Sequence, residues 1–207
     1  MARVSQEHLD ARRRQILDGA ALCFARNGFH ATSMQDVLKG VGLSAGAVYR
    51  YFRGKEELIH AIVTEVLDDV GAIYEEAAKE VPPSPPHELV DKVMRQVQGL
   101  RPGLRDEGGM PVIGRLMVQV WTETLRDPAL ATAIQEGYAR ICASWVTIVE
   151  GYQEAGLMAA DADADAVART MIAAVQGFIA QQALFKDVPA EALQAGLRSL
   201  MGMREVS

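Results

Sequence analysis

Residues 28–58 read GFHATSMQDVLKGVGLSAGAVYRYFRGKEEL, and this stretch decides the fold. Ser33 stands three residues before Asp36, the spacing of an N-terminal capping box, and Met34, Val37 and Leu38 then share one helical face. Gly40-Val41-Gly42-Leu43 breaks that helix, and Ser44 is placed to cap the next one, which is expected to run to about Phe52. Two short helices, 33–39 and 44–52, joined by a glycine-containing turn, form a helix-turn-helix arrangement.

Working outward, a first helix is predicted from about Gln6 to Asn27, burying Ile16, Leu17, Ala20, Ala21 and Phe24 and ending at Gly28. On the other side a long helix starts near Lys55 and carries Leu58, Ile62 and Val63. The run Val81-Pro82-Pro83-Ser84-Pro85-Pro86 reads as a stiff non-helical connection, because proline lacks the amide donor. Apolar residues then recur at helical spacing through to Met201, including a long pattern over 128–156 that holds Tyr138, Trp145 and Tyr152. No segment alternates with period two. The fold class is therefore all-α, with about nine helices.

Composition bounds the function. Of 207 residues, 49% are hydrophobic and 23% charged, which excludes disordered and low-complexity classes. The apolar run Met171–Phe185 is broken by Gln176, Gln181 and Gln182, short of a membrane span. The opening MARVSQEHLDARRR lacks an apolar core, so no signal peptide is expected. Two cysteines, Cys23 and Cys142, fit buried free thiols and a cytoplasmic location. The net charge is −6, unevenly spread: residues 1–60 carry 9 Lys/Arg against 6 Asp/Glu, and residues 61–207 carry 12 against 21. A small basic module on an acidic body points to nucleic-acid contact by one end.

The helix-turn-helix geometry supplies the mechanism of that contact. Its first helix crosses the phosphate backbone and its second enters the major groove N-terminus first. Small residues there, Ser44, Ala45, Gly46 and Ala47, permit close approach to base edges. Val48 and Tyr51 are expected to turn inward, leaving Tyr49 and Arg50 facing outward. Arg12, Arg13 and Arg14 suit flanking phosphates and a solvated helix face equally.

The residues Gly28-Phe29, Thr32-Ser33, Val41-Gly42-Leu43-Ser44, Gly46, Tyr49, Tyr51-Phe52, Lys55 and Leu58 recur at the offsets of a known DNA-binding signature. On them the chain resembles the TetR family of bacterial transcriptional regulators. The resemblance implies a homodimeric repressor that binds a palindromic DNA operator and is released by a small-molecule effector. It implies a DNA-binding domain over 1–54 and an effector-binding and dimerisation domain over 55–207. Thr32, Ser33 and Lys55 would meet phosphate, and Ser44, Ala45, Gly46, Ala47, Tyr49 and Arg50 would face the groove. Two departures stand out: position 45 is Ala where a basic or polar residue is common, and Gly54 replaces a capping Ser or Asn.

An effector site in a helical bundle combines apolar walls with a few polar groups. Met117, Trp121, Thr124, Tyr138, Trp145, Phe178 and Gln182 are the candidates, Gln182 because its amide shares a stripe with Met171, Val175 and Phe178. Such a lining suits a hydrophobic or aromatic molecule, while the acidic body would also favour a cation. Asp161, Asp163 and Asp165 mimic the start of a calcium loop, but Ala166 and Ile172 occupy its glycine and glutamate positions, so they read as helix-capping acids. His8, His30, His60 and His87 are scattered, and no catalytic, metal or cofactor motif appears. Two other classes stay open: a helical DNA-binding dimer without effector, and a helical ligand-binding protein or enzyme with a silent N-terminus.

Overall fold

The computed structural model describes residues 6–100, 103–105, 112–185, 188–189 and 191–201, without the side chains of Gln98 and Leu100. Among them are nine helices: α1 (Gln6–Asn27), α2 (Met34–Val41), α3 (Ala45–Tyr49), α4 (Lys55–Ala77), α5 (Pro86–Leu100), α6 (Ile113–Glu123), α7 (Pro128–Glu154), α8 (Ala164–Leu184) and α9 (Glu191–Met201). The all-α reading holds. The described residues divide into two compact units: those within 1–65 and 102–133, and those within 66–101 and 134–207.

The first unit is built on α1. Ile16, Leu17, Ala20 and Phe24 are buried, together with Val37 of α2, Val48 of α3, Leu58 and Ile59 of α4 and Leu116 of α6. Each large aliphatic or aromatic side chain so placed contributes about 1.5–3 kcal/mol. α1 and α2 approach closely because Gly19 has no side chain; a Cβ there would lie 2.6 Å from Val41 Cγ2. α2 is closed at both ends: Ser33 and Asp36 form the reciprocal capping box, and Gly42 caps the C-terminus at φ +69°. The third helix is shorter than the sequence suggests. After Tyr49 the amides of Tyr51 and Phe52 both turn back on the Val48 carbonyl, which tightens the chain out of α-geometry.

In the second unit Trp145, Ile148 and Tyr152 of α7 pack with Tyr74 of α4, Leu89 and Val93 of α5, Met171 of α8 and Leu197 of α9. Tyr74 and Trp145 meet at 5.5 Å between ring centroids, and burial pushes the Tyr74 hydroxyl up to about 12. The Tyr152 hydroxyl donates to the Ser84 carbonyl, which fixes the proline-rich connection. That connection is one residue shorter than expected. Pro86 opens α5, where its missing amide is a group the first turn leaves unbonded in any case. Asp163 caps α8 by accepting from the amides of Asp165 and Ala166, as the acidic run suggested. Cys23 and Cys142 are half-buried free thiols, each raised above the ordinary cysteine range chiefly by burial.

Candidate nucleic-acid interface

α3 has five residues and one buried anchor, Val48, which is 0% exposed. A helix that short with one side chain inward leaves the rest of its surface outward. Ser44, Ala45, Gly46, Tyr49 and Arg50 are exposed, and Ala47 is half-buried. The Ser44 hydroxyl caps the helix by accepting from the Ala47 amide at 3.3 Å. A Cβ at Gly46 would meet nothing within 4 Å, so packing within the chain does not call for a glycine there. Arg50 makes no hydrogen bond or ion pair with the described residues, and its guanidinium is available to an external acceptor. Tyr51 is half-buried and Phe52 buried, with the Arg13 guanidinium 5.5 Å above the Phe52 ring.

The residues expected at phosphate divide into three situations. Ser33 is exposed, with its hydroxyl and amide both donating to the Asp36 carboxylate at 2.6 and 2.8 Å; these two bonds hold that carboxyl below the usual range. Beside the cap, the first-turn amides of α2 have no intrahelical acceptor and the helix dipole favours an anion. Thr32 has another task. It is 1% exposed and its hydroxyl donates to the Gly28 carbonyl at 2.7 Å, which closes the α1–α2 turn and points the side chain away from solvent. Lys55, at the start of α4, donates to the carbonyls of Phe29, His30 and Thr32 at 3.1, 3.5 and 3.4 Å and sits 4.8 Å over the Phe29 ring. Its ammonium thereby concentrates positive charge at that turn. Of the consecutive arginines Arg12, Arg13 and Arg14 on α1, Arg13 pairs with Glu65, Arg12 donates to Gln15, and Arg14 is exposed.

The residues expected to line an effector site fall in both units. Met117, Trp121 and Thr124 are half-buried in the first unit, with the Thr124 hydroxyl donating to the Trp121 carbonyl. Tyr138, Trp145, Phe178 and Gln182 belong to the second. There Trp145 is core, fully enclosed, and Phe178 is 7% exposed. The Gln182 amide donates to the Val188 carbonyl at 3.4 Å, a local partner that the helical stripe alone does not reveal. A concavity of about 370 Å³ in the second unit lies instead between α4 and α5, among Asp69, Ile73, Glu76, Lys92 and Gln96.

Sequence reasoning passed over one cluster. Gln119, Glu123, Arg126 and Asp127, at the end of α6 and just beyond, contact Phe29, His30 and His60. The contacts join residues 67 to 96 positions apart, which no local pattern marks. The one local signal was Asp127-Pro128, a cap followed by a first-turn proline; Asp127 does accept from the Leu130 amide at 3.0 Å.

Comparison with known proteins agrees with this architecture. A family model described as bacterial regulatory proteins, tetR family, matches residues 16–62, and one described as BetI-type transcriptional repressor, C-terminal, matches residues 97–202. The chain is similar to the HTH-type transcriptional repressor Rv1474c of Mycobacterium tuberculosis, with 41% identity over 35% of this chain and 39% of the relative. It is also similar to the HTH-type transcriptional regulator YfiR of Bacillus subtilis, with 34% identity over 58% of this chain and 56% of that protein. The alignments therefore span about two fifths and just over half of those two relatives. Among solved structures, Salmonella enterica GusR superposes with a TM-score of 0.69 at 26% identity, over 98% of this chain and 100% of its own. No described helix is long and apolar enough to cross a membrane. From the helix-turn-helix segment through the helical C-terminal portion, the chain belongs to the TetR family of bacterial transcriptional regulators.

Proposed function

We propose that this chain binds a palindromic operator as a homodimer, reads it with α3, and lets go when a small hydrophobic or aromatic molecule enters its C-terminal body. Residues 1–54, with Lys55 next to them, carry the DNA contacts, and residues 55–207 form the effector and dimerisation domain; it acts in the cytoplasm as a regulator, not as an enzyme. The observation that carries this is α3 itself: one anchor, Val48, and an outward face of Ser44, Ala45, Gly46, Tyr49 and Arg50. Small side chains allow close approach, and Arg50 supplies the donors for a base edge or a phosphate. The first turn of α2 beside Ser33, and the positive charge of Lys55, support phosphate contact at the groove edge.

A single short reading helix gives poor discrimination, and a two-fold pair sets two of them about 34 Å apart on successive turns of DNA. Leu184 and Phe185 at the end of α8 and Leu200 on α9 are exposed apolar side chains that a second copy would cover. For the effector, Tyr138 and Gln182 keep accessible surface in the second unit, whereas Trp145 would act through packing.

Selection of bound fragments from genomic DNA by the full chain, followed by affinity against salt, tests the reading. Affinity falling steeply with salt and lost in Arg50→Ala supports it; absence of any selected fragment at moderate salt sinks it. A dimer without effector is the second reading, favoured by the enclosed Trp145 and the locally bonded Gln182. A screen for molecules that dissociate the selected duplex separates the two.

A further inference from the structure

The end of α6 grips the N-terminal helices through side chains. Gln119 Oε1 accepts from the Phe29 amide at 3.0 Å, and His60 Nε2 lies 2.8 Å from Asp127 Oδ2. Between them is an atom with two claimants: His30 Nε2 is 3.0 Å from Glu123 Oε2 and 3.0 Å from an Arg126 guanidinium nitrogen. It cannot serve both in one protonation state. Bare, Nε2 is an acceptor and suits Arg126; carrying a proton, as one neutral tautomer and the imidazolium both do, it is a donor and suits Glu123, and only the imidazolium adds charge to that pairing. The His30 side chain is 63% exposed and open to solvent, while that of Glu123 is 12% exposed. Among the described residues, the charged groups facing His30 are Glu123 at the end of α6, Arg126 just beyond it, and Lys55 from α4, whose ammonium bonds the His30 carbonyl. His60 faces Asp127.

We propose that His30 is a positioning residue whose protonation exchanges Arg126 for Glu123 and strengthens operator binding, which presumes the DNA-binding function proposed above. The imidazolium is pinned to Glu123 three residues before the Ser33 cap, adding a cation to the turn that leads into α2. Arg126, released from Nε2, then repels the new charge, so acid and guanidinium bias the same proton in opposite directions.

The test uses the full-length protein and a duplex it has itself selected from random DNA, with affinity followed by fluorescence anisotropy from pH 5.5 to 8.5 at constant ionic strength. Affinity should be about fivefold tighter at pH 6 than at pH 8. His30→Gln should flatten the profile with an unchanged melting temperature, and His60→Gln should retain it. Glu123→Gln should move the midpoint to lower pH and Arg126→Gln to higher pH, opposite displacements that a merely structural contact would not produce. A wild-type profile in His30→Gln, a profile lost only in His60→Gln, or midpoints moving together in the last two variants would overturn the proposal. A flat profile on a tightly bound duplex sinks this proposal alone; failure to select any duplex sinks it together with the DNA-binding reading.

Discussion

The outward face of α3 and the aromatic stripe of α7 obey the same helical period and have opposite fates. α3 is five residues long, and its one inward side chain, Val48, leaves small and basic residues in solvent. α7 is 27 residues long and spends Ile141, Trp145, Ile148 and Tyr152 on the interior of the second unit. Periodicity says which residues share a face, not whether that face is satisfied by the chain's own packing. In α3 the unsatisfied face is the one proposed to meet DNA. In α7 Trp145 and Tyr152 belong to the core itself, and Tyr138 packs half-buried against it.

Substitutions separate the two faces by what they change. Trp145→Ala should cost about 3–5 kcal/mol of stability, read from the urea midpoint, because the enclosed indole leaves a cavity against Tyr74. Arg50→Ala should leave that midpoint alone and cost about 1–3 kcal/mol of operator affinity. If Arg50→Ala destabilised the fold, the contrast between the faces would fail. Ser33→Ala breaks the capping box and should lower stability by about 1 kcal/mol. Gly46→Ala sharpens the comparison most: on the free protein a methyl meets open space and should raise stability by about 0.5–1 kcal/mol, while operator affinity falls. An unchanged operator affinity would mean that DNA does not approach this position closely.

The last expectation concerns acid. Ser33 holds the Asp36 carboxyl below the ordinary range, so this carboxylate stabilises the fold above the unfolded value of about 3.9 and the contribution is lost as pH falls through the lower folded value. Asp36→Asn should therefore show a shallower acid limb below about pH 4 in a thermal-melt series, with neutral stability somewhat reduced.

Most of the fold was legible because its punctuation is chemical: Ser33 with Asp36, Gly28 and Gly42 at positive φ, Asp163 before α8. Boundaries moved too: α2 runs on through Gly40 to Val41 and α7 stops at Glu154, and two other shifts have equally local reasons. Pro86 fits a first turn, and the backbone after Tyr49 tightens on Val48. The face of α3 could be read from spacing because a short helix has few alternatives. The task of Thr32 could not, since a hydroxyl beside a turn serves a carbonyl as readily as a phosphate, and only the fold shows Gly28 within reach. Nor could the partner of Gln182, which is a backbone carbonyl six residues away. The grip of α6 on Phe29, His30 and His60 was beyond local pattern altogether, joining residues that meet only when the chain has folded.

The first unit draws on two separate stretches of the polypeptide, 1–65 and 102–133, with part of the second unit encoded between them. A gene truncated after residue 65 would therefore yield α1 to α3 and half of α4 stripped of Leu116, Val120 and the Gln119 acceptor for Phe29. Such a fragment exposes apolar surface that the full chain covers. Grafting residues 1–65 onto a foreign body by a single junction would transplant an unfinished object, and a chimera that folds needs both stretches to travel together.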